Sequence, residues 1–386
     1  MPQPEMENRY YDVIICGGGM IGSALAFGLS KSGVRILMLD EGDTAFRAAR
    51  GNFGLVWFQG KGVGMQAYRD WTHQSVDQWP GLAAELLETT GIDVRLRQSG
   101  GLDTCLGEQE FEDRQREIDI MKSQSPDGHY PVRMVDRKEA EDILGNITLG
   151  ERVLGAMYST LDGHVNPLSL LHAFHAGFQS SGGHYQANAP VREIAATGKG
   201  SGEGYTVSTD RHSYACSRVV ISAGLGIPPL ARSVGLDVPV YPERGQILVT
   251  ERTAPFLTLP TLIARQTEEG SVMIGVSNED AGFDAGTTGD MTASIAKRAL
   301  DTFPVLASLN LVRTWGALRV LTPDHAPVYD QSRQLPGIFV STSHSGVTLA
   351  AANVACAAEW ILENRPPDAF HSFTTDRFNV DATKYA

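Results

Sequence analysis

The chain has 386 residues, 42 % of them hydrophobic and 20 % charged, the balance of an ordinary soluble enzyme, and this length predicts two domains with sizeable cores. The formal net charge of −13 argues against nucleic acid and against anionic membrane surfaces, so any anionic ligand must be held by local donors. The cysteines (Cys16, Cys105, Cys216, Cys356) are far apart and form no C-x-x-C, so neither a metal site nor a disulfide is expected, which fits a reducing compartment. The opening residues carry acids and no basic n-region, and the apolar run after them is too short for a signal peptide. The apolar stretch Val347–Leu362 is interrupted by Asn353 and Glu359 and predicts a core helix rather than a membrane span. A cytoplasmic protein without direct membrane insertion is expected.

The most informative stretch comes first. Val13–Cys16 is a β-branched, apolar run with the pattern of a buried parallel strand. It leads into Gly17, Gly18, Gly19, Met20, Ile21 and Gly22, a G-x-G-x-x-G. A helical pattern follows (Ala24, Leu25, Phe27, Leu29), then a second apolar strand, Val34–Leu39. That strand ends on Asp40 and Glu41, with Asp40 18 residues after Gly22. Gly17 suits a tight turn, Gly19 a close approach of the backbone to a pyrophosphate, and Gly22 close helix–strand packing. The helix N-terminus offers free N–H groups to the phosphates, and Asp40 can accept ribose hydroxyls. Strand, glycines, helix and acid together predict a dinucleotide site, whereas a bare glycine motif would be weak. The plain alternative is a glycine-rich turn with no ligand. The position near the start favours FAD, but the fingerprint alone does not separate FAD from NAD.

Residues 46–64 are glycine-rich and read as a loop carrying Arg47, Arg50, Asn52, Phe53, Gly54, Leu55, Trp57 and Phe58. After a dinucleotide unit such a loop suits a segment that wraps a cofactor, with backbone donors at Asn52–Leu55; a plain surface loop is the alternative. A helix is predicted over 65–90, short strands over 94–105, a charged amphipathic helix over 108–124 and a short helix over 137–144. Asn166 is a candidate N-cap and Pro167 a first-turn residue for a helix over 168–179. His164 suits a packing or polar contact better than a catalytic base. Residues 185–194 and 204–209 read as two strands joined by a glycine-rich hairpin. Strand 218–221 then enters a glycine turn through Ser222, Ala223, Gly224 and Gly226, in the pattern of a further nucleotide-facing loop. Val191 belongs to the same candidate group. Strands over 247–250, 261–265, 271–277 and 313–321, with an amphipathic helix over 290–303, mark an antiparallel sheet. The chain returns through strand 338–342 to Ser343, His344, Ser345, Gly346, Val347 and Thr348, and ends on the apolar helix.

Five of these segments, taken together, resemble the D-amino acid oxidase-like flavoproteins, which include glycine oxidase and sarcosine oxidase: GGGMIG with Asp40, RGNFG, VVISAG, PERGQ, and GALRVLTPD with SHSGVTLA. They span nearly the whole chain. The resemblance implies an α/β fold, a Rossmann-type FAD-binding domain with a second domain built on an antiparallel β-sheet and flanking helices. It puts residues 1–92, 152–238 and 322–386 in the FAD-binding domain, and 93–151 and 239–321 in the substrate-binding domain. Within the family the arginine of the motif like Gly316–Arg319 often clamps the substrate carboxylate. A planar, permanently charged guanidinium suits Arg319 to that role, and also to contact with the cofactor; a structural salt bridge is the alternative. Arg244 ranks lower. Gly346–Thr348 opens the last helix, so Ser345, Gly346, Val347 and Thr348 can present N–H groups to the flavin, where reduction leaves negative charge. His344 is a catalytic candidate that points either to solvent or to the active site. Sarcosine-oxidase-type members attach FAD through a cysteine shortly before the TPD; Ala317 holds that place here, so FAD is expected to be non-covalent.

The run GNFGLVWFQGKG is similar to the B-type chain of opine oxidases and to hydroxyproline and proline dehydrogenase β subunits. That likeness implies a secondary amine bearing carboxylates as substrate. It also implies a heteromer with an α-type flavoprotein partner or small iron–sulfur subunits, and in some members FMN at the interface. The implied chemistry is hydride transfer from the substrate carbon to flavin N5, with hydrolysis of the imine to a 2-oxo acid and an amine. No general base is strictly required. The alternatives are a stand-alone FAD oxidase releasing peroxide and a non-catalytic flavoprotein assembly subunit. An NAD(P)-linked dehydrogenase lacks support, since one dinucleotide fingerprint occurs.

Overall fold

A computed structural model describes residues 10–42, 48–198 and 204–379. Arg47 lies outside the described residues. The main sheet runs in the order Val328–Gln331, Ile338–Thr342, Ser213–Ile221, Tyr10–Cys16, Ile36–Leu39 and His184–Gln186. Its central pairs are parallel, with Val13 opposite Ile36 on one side and Arg218 on the other. The β-branched run at its centre is sealed on both faces. Val13 and Ile15 pack with Leu25, Leu29 and Trp360 from the helices Met20–Ser30 and Ala350–Ile361. Ile14 and Cys16 pack the other way, with Val219, Ile221 and Ile227. A strand buried on both sides reads as continuous apolar sequence, which is what residues 13–16 show.

A second, antiparallel sheet runs in the order Ala264–Gln266, Ser271–Ile274, Tyr241–Arg252 and Leu311–Leu321. Its longest pair places Glu243 opposite Arg319 and Gly245 opposite Ala317. Strands Gly101–Leu106, Val153–Ser159 and Val132–Asp136 form a third sheet, joined to the second by a bridge between Leu102 and Thr261. The two sheets and helix Gly289–Thr302 share one core, in which Leu102, Ala156, Leu248, Ile274 and Phe303 are buried. Strand Val153–Ser159 therefore sits with this part of the protein, although the expected boundary placed residues from 152 onward with the dinucleotide half.

Two other expectations are corrected. Residues 185–194 are two strands, not one. His184–Gln186 continues the parallel sheet, whereas Val191–Ala196 turns to pair with Tyr205–Thr209. Asn188, in the left-handed region at φ 54°, and Pro190 break the strand between them. The C-terminal helix begins at Ala350, not at Gly346, because residues 344–349 form a separate turn ahead of it. Helix Pro167–Ser180 starts as its sequence predicts: Asn166 Oδ1 accepts from the N–H groups of Leu168 and Ser169, both at 3.1 Å. No helix among the described residues is long and apolar enough to cross a membrane.

Candidate active site

Strand Tyr10–Cys16 delivers the glycine motif to the start of helix Met20–Ser30. Gly17 has φ +113°, and the Ser222 carbonyl fills the place where its side chain would stand. A Cβ on Gly22 would overlap the Gly17 carbonyl oxygen, so the helix closes directly onto the turn. Gly19 differs: a Cβ there would meet nothing nearer than Ala49 Cβ at 3.9 Å. Its open side faces a cavity of about 750 Å³, within the size range of ligand and cofactor pockets. Asp40 closes the motif from below. Gly18 N donates to its Oδ2 at 2.7 Å and Gly42 N to its Oδ1 at 2.8 Å.

Gly17, Gly18, Gly19, Met20, Ile21, Asp40, Glu41, Arg50, Asn52, Val191, Ser222, Ala223, Gly224, Gly226, His344 and Gly346 all reach the cavity wall. Parts of the chain far apart in sequence thus come together around one space. Its wall also holds two buried hydroxyls, Ser222 Oγ and Ser341 Oγ, that bond to no described residue. A buried donor without a partner is costly, so such groups mark places where a polar ligand completes the structure.

The other predicted residues lie behind the wall. Gly22 packs on Gly17 as described. Phe53 packs with Ile247 and Met273, and its carbonyl accepts from Arg265 Nε. Gly54 N donates to Asn52 Oδ1 at 2.6 Å. Leu55 pairs with His164 and accepts from Thr348 Oγ1 at 3.3 Å. These three residues shape the loop that Arg50 and Asn52 extend to the cavity.

The turn at 344–349 is wound by hydrogen bonds from Leu349 N to Ser345 O at 2.9 Å and from Ala350 N to Val347 O at 3.1 Å. Its side chains divide between wall and core. Ser345 Oγ bonds the Tyr68 hydroxyl at 2.8 Å, Val347 is buried, and Thr348 Oγ1 accepts from Trp57 N at 3.1 Å. His344 and Gly346 face the cavity. His344 is open to that space yet deep in the protein. Burial, then the charges of Lys61, Arg319 and His325, hold its imidazole well below the ordinary histidine range, so it is neutral.

Arg319 stands on strand Leu311–Leu321 between Leu318 and Val320, which line the cavity, but is not itself on that wall. Its Nη1 donates to Glu243 Oε1 and to Asn278 Oδ1, each at 2.6 Å. The guanidinium lies over Gly245, and its Nε and Nη2 hold no other protein acceptor among the described residues. Arg244 is tied elsewhere, to Glu279 at 2.8 Å and Asp284 at 2.6 Å. His164, pushed down to about 3 by burial and by Arg265, is a neutral partner of that arginine at 3.3 Å.

A family model described as FAD dependent oxidoreductase (DAO) matches residues 12–360. The chain belongs to the DAO family of FAD-dependent oxidoreductases. It is 39 % identical over 370 residues to the B-type chain of opine oxidase from Agrobacterium tumefaciens (strain Ach5), covering 96 % of this chain and 98 % of that protein. It is 27 % identical over 423 residues to the HcnC chain of hydrogen cyanide synthase from Pseudomonas aeruginosa, covering 98 % and 99 %. Glycine oxidase from Geobacillus kaustophilus has the same fold, with a TM-score of 0.82 at 25 % identity over 93 % of this chain and 96 % of that one.

As a member of the DAO family the protein is an FAD-dependent enzyme. Its cavity fits the cofactor by an open glycine face, an acid at the end of the second strand and two orphaned hydroxyls. Sequence reasoning missed several wall residues. His175 Nε2 lies 2.9 Å from Ser23 Oγ and 3.0 Å from Gly18 O, and Tyr185 packs beside Gly18. It also missed Lys61 and Asp162. Asp162 is fully buried and accepts from Phe58 N and Gln59 Nε2. Burial pushes its carboxyl up to about 7 against the pull of these bonds. Burial brings Lys61 down to about 8. The local signal for both was faint, since each is placed by contacts across the chain.

Proposed function

We propose that this protein oxidises the C–N bond of an amino acid or a secondary, opine-like amino acid, as the catalytic FAD subunit of a heteromeric dehydrogenase. The observation that carries this reading is Arg319, aimed by Glu243 and Asn278 on the strand whose Leu318 and Val320 line the cavity, with part of its guanidinium still available. An α-carboxylate docked there in bidentate fashion would be fixed in register with the cavity. Gly17–Ile21 and Asp40 would hold the dinucleotide end of FAD. Ser222, Ala223 and Gly224 would take its middle, and the N–H groups of Gly346, Val347 and Thr348 its ring, the Ser345 N–H being donated to Ser343 Oγ at 3.0 Å. Bound FAD would supply the acceptor for the hydride leaving the substrate carbon. His344, being neutral, can hydrogen-bond a substrate without adding charge. The product imine hydrolyses to a 2-oxo acid and an amine.

The 39 % identity to a protein named as one chain of an opine oxidase supports both the substrate class and an assembly with a partner chain. An α-type flavoprotein partner, an iron–sulfur subunit and FMN at an interface belong to the same reading. A second reading is an oxidase acting alone with oxygen, which the common fold with glycine oxidase favours. Anaerobic bleaching of the flavin against octopine, nopaline, hydroxyproline, sarcosine and D-amino acids tests the first reading. Peroxide release by the purified single chain selects the second. Failure of every amine in the presence of the partner chains would leave a non-catalytic flavoprotein subunit.

A further inference from the structure

We propose that His175 is a positioning residue for the FAD pyrophosphate. It holds the carbonyl of Gly18, and through that peptide it aims the N–H of Gly19 at the bound phosphate.

Gly18 and Gly19 are neighbours with opposite surroundings. Gly18 is tied down. Its N–H donates to Asp40 Oδ2 at 2.7 Å, and its carbonyl accepts from Ser23 Oγ at 2.9 Å and from His175 Nε2 at 3.0 Å. A Cβ on it would meet Tyr185 Cε2 at 3.1 Å. Gly19 N, in contrast, donates to no described residue, and Gly19 turns its open side to the cavity. The peptide between the two glycines is trans, so its C=O and its N–H point in opposite directions. Fixing the Gly18 carbonyl against Ser23 and His175 therefore fixes the direction of the Gly19 N–H. That N–H stands at the N-cap of helix Met20–Ser30, where an anionic group is favoured.

His175 comes from helix Pro167–Ser180, 157 residues from Gly18 in sequence. That helix packs directly on Met20–Ser30. Phe174 lies against Phe27 with ring centroids 5.9 Å apart, and Gly177 leaves Phe27 the space that a Cβ would fill. Tyr185 meets the imidazole edge-on at 4.6 Å and limits its rotation. A carbonyl oxygen only accepts, so the 3.0 Å contact puts a proton on Nε2. Ser23 Oγ, 2.9 Å from the same nitrogen, closes a triangle of hydrogen bonds with that carbonyl. Both partners of His175 Nε2 belong to the glycine motif, so this nitrogen acts on the ligand through the peptide. Without it Ser23 alone holds the carbonyl, and the peptide gains freedom that FAD binding must then remove.

The test uses the full chain, FAD-loaded and FAD-free, as wild type, His175→Met, which fills the space without the donor, and His175→Gln, whose amide restores an N–H near the place of Nε2. Urea unfolding of the FAD-free protein checks folding. Fluorescence titration should show the Kd for FAD raised at least about tenfold in His175→Met, the effect of one misdirected hydrogen bond to a charged group, and mostly recovered in His175→Gln. In phosphorus NMR the resonances of the bound pyrophosphate should move in His175→Met and return in His175→Gln. A merely structural role would lower the unfolding free energy and leave those resonances in place. An unchanged Kd in His175→Met, equal Kd values in the two variants, or unmoved resonances overturn the proposal. If His175→Met does not fold, Ser23→Ala carries the test, because it removes the other bond to the same carbonyl. A weaker Kd with moved resonances there supports the proposal, and an unchanged Kd overturns it.

Discussion

Glu243 and Arg319 face each other across adjacent antiparallel strands, and their side chains meet at 2.6 Å. Both are mostly but not fully shielded from solvent, so the pair acts chiefly to aim the guanidinium rather than to stabilise the sheet. Arg319→Ala should raise KM for carboxylate substrates by more than about tenfold, on the order of 2 kcal/mol for a lost charged hydrogen bond. Glu243→Gln should raise it less, because the charge remains while the aim is lost. Steady-state kinetics of both variants check this, and unchanged kinetics in Arg319→Ala would remove that residue from the site.

Two glycines of one motif should respond in opposite ways. A methyl on Gly22 collides with the Gly17 carbonyl, so Gly22→Ala forces helix and turn apart and should destabilise the protein by about 1–3 kcal/mol with or without FAD. A methyl on Gly19 meets nothing closer than 3.9 Å, so Gly19→Ala should leave the stability of the FAD-free protein nearly unchanged. It would instead intrude on the cavity and weaken FAD binding. Urea unfolding of the apo-protein and fluorescence titration with FAD separate the two outcomes.

The parts legible in the sequence are those whose causes are local. The strand–glycine–helix–acid unit needs only residues 13–40, and the Asn166 cap needs four consecutive positions. The rest depends on closure over long separations. Lys61 is placed by a loop whose anchors join Trp57 to Thr348, 291 residues apart, and Phe58 to Asp162, 104 residues apart. Nothing in the sequence near Lys61 announces either contact. The same holds for the turn at 344–349. Its small and polar residues suit a helix start as well as a turn, and the pull of Tyr68 and Trp57 on Ser345 and Thr348 accompanies the turn. Residues 185–194 misled for the opposite reason: a continuous β pattern hides a change of sheet that Asn188 and Pro190 make.

FAD should be released intact by acid. Ala317, buried against Gly51, holds the position at which sarcosine-oxidase-type relatives carry their attaching cysteine. The thiol on the cavity wall is Cys16, and burial followed by the neighbouring Cys216 keeps it protonated far above neutral pH. A protonated thiol is a poor nucleophile. Precipitation with trichloroacetic acid should therefore leave the yellow colour in the supernatant. A yellow pellet would show a covalent link that this geometry does not provide.

Asp162 should leave a mark on the pH dependence of stability. Its carboxyl is fully buried and pushed up to about 7 from an ordinary value of 3.8. Below about pH 4 the folded and unfolded states both hold the proton, and the group contributes no slope. Between about 4 and 7 the folded state keeps a proton that the unfolded state has lost, so stability falls as pH rises, and above 7 the loss is complete. At 1.36 kcal/mol for each pH unit crossed, the total is at most about 4 kcal/mol. His344 works in the other direction. Held neutral when folded, it lowers stability as pH drops below about 6.5, where the unfolded chain takes up a proton. The raw curve therefore mixes two opposed slopes, and the comparison must be with Asp162→Asn. In that variant Asn can still accept from Phe58 N, and Gln59 Oε1, buried without a partner, can turn to receive the new amide. Urea-unfolding free energies from pH 4 to 8 should show the wild type losing stability relative to Asp162→Asn up to pH 7 and running parallel to it beyond. Parallel curves over the whole range would mean that Asp162 is ionised in the folded protein throughout.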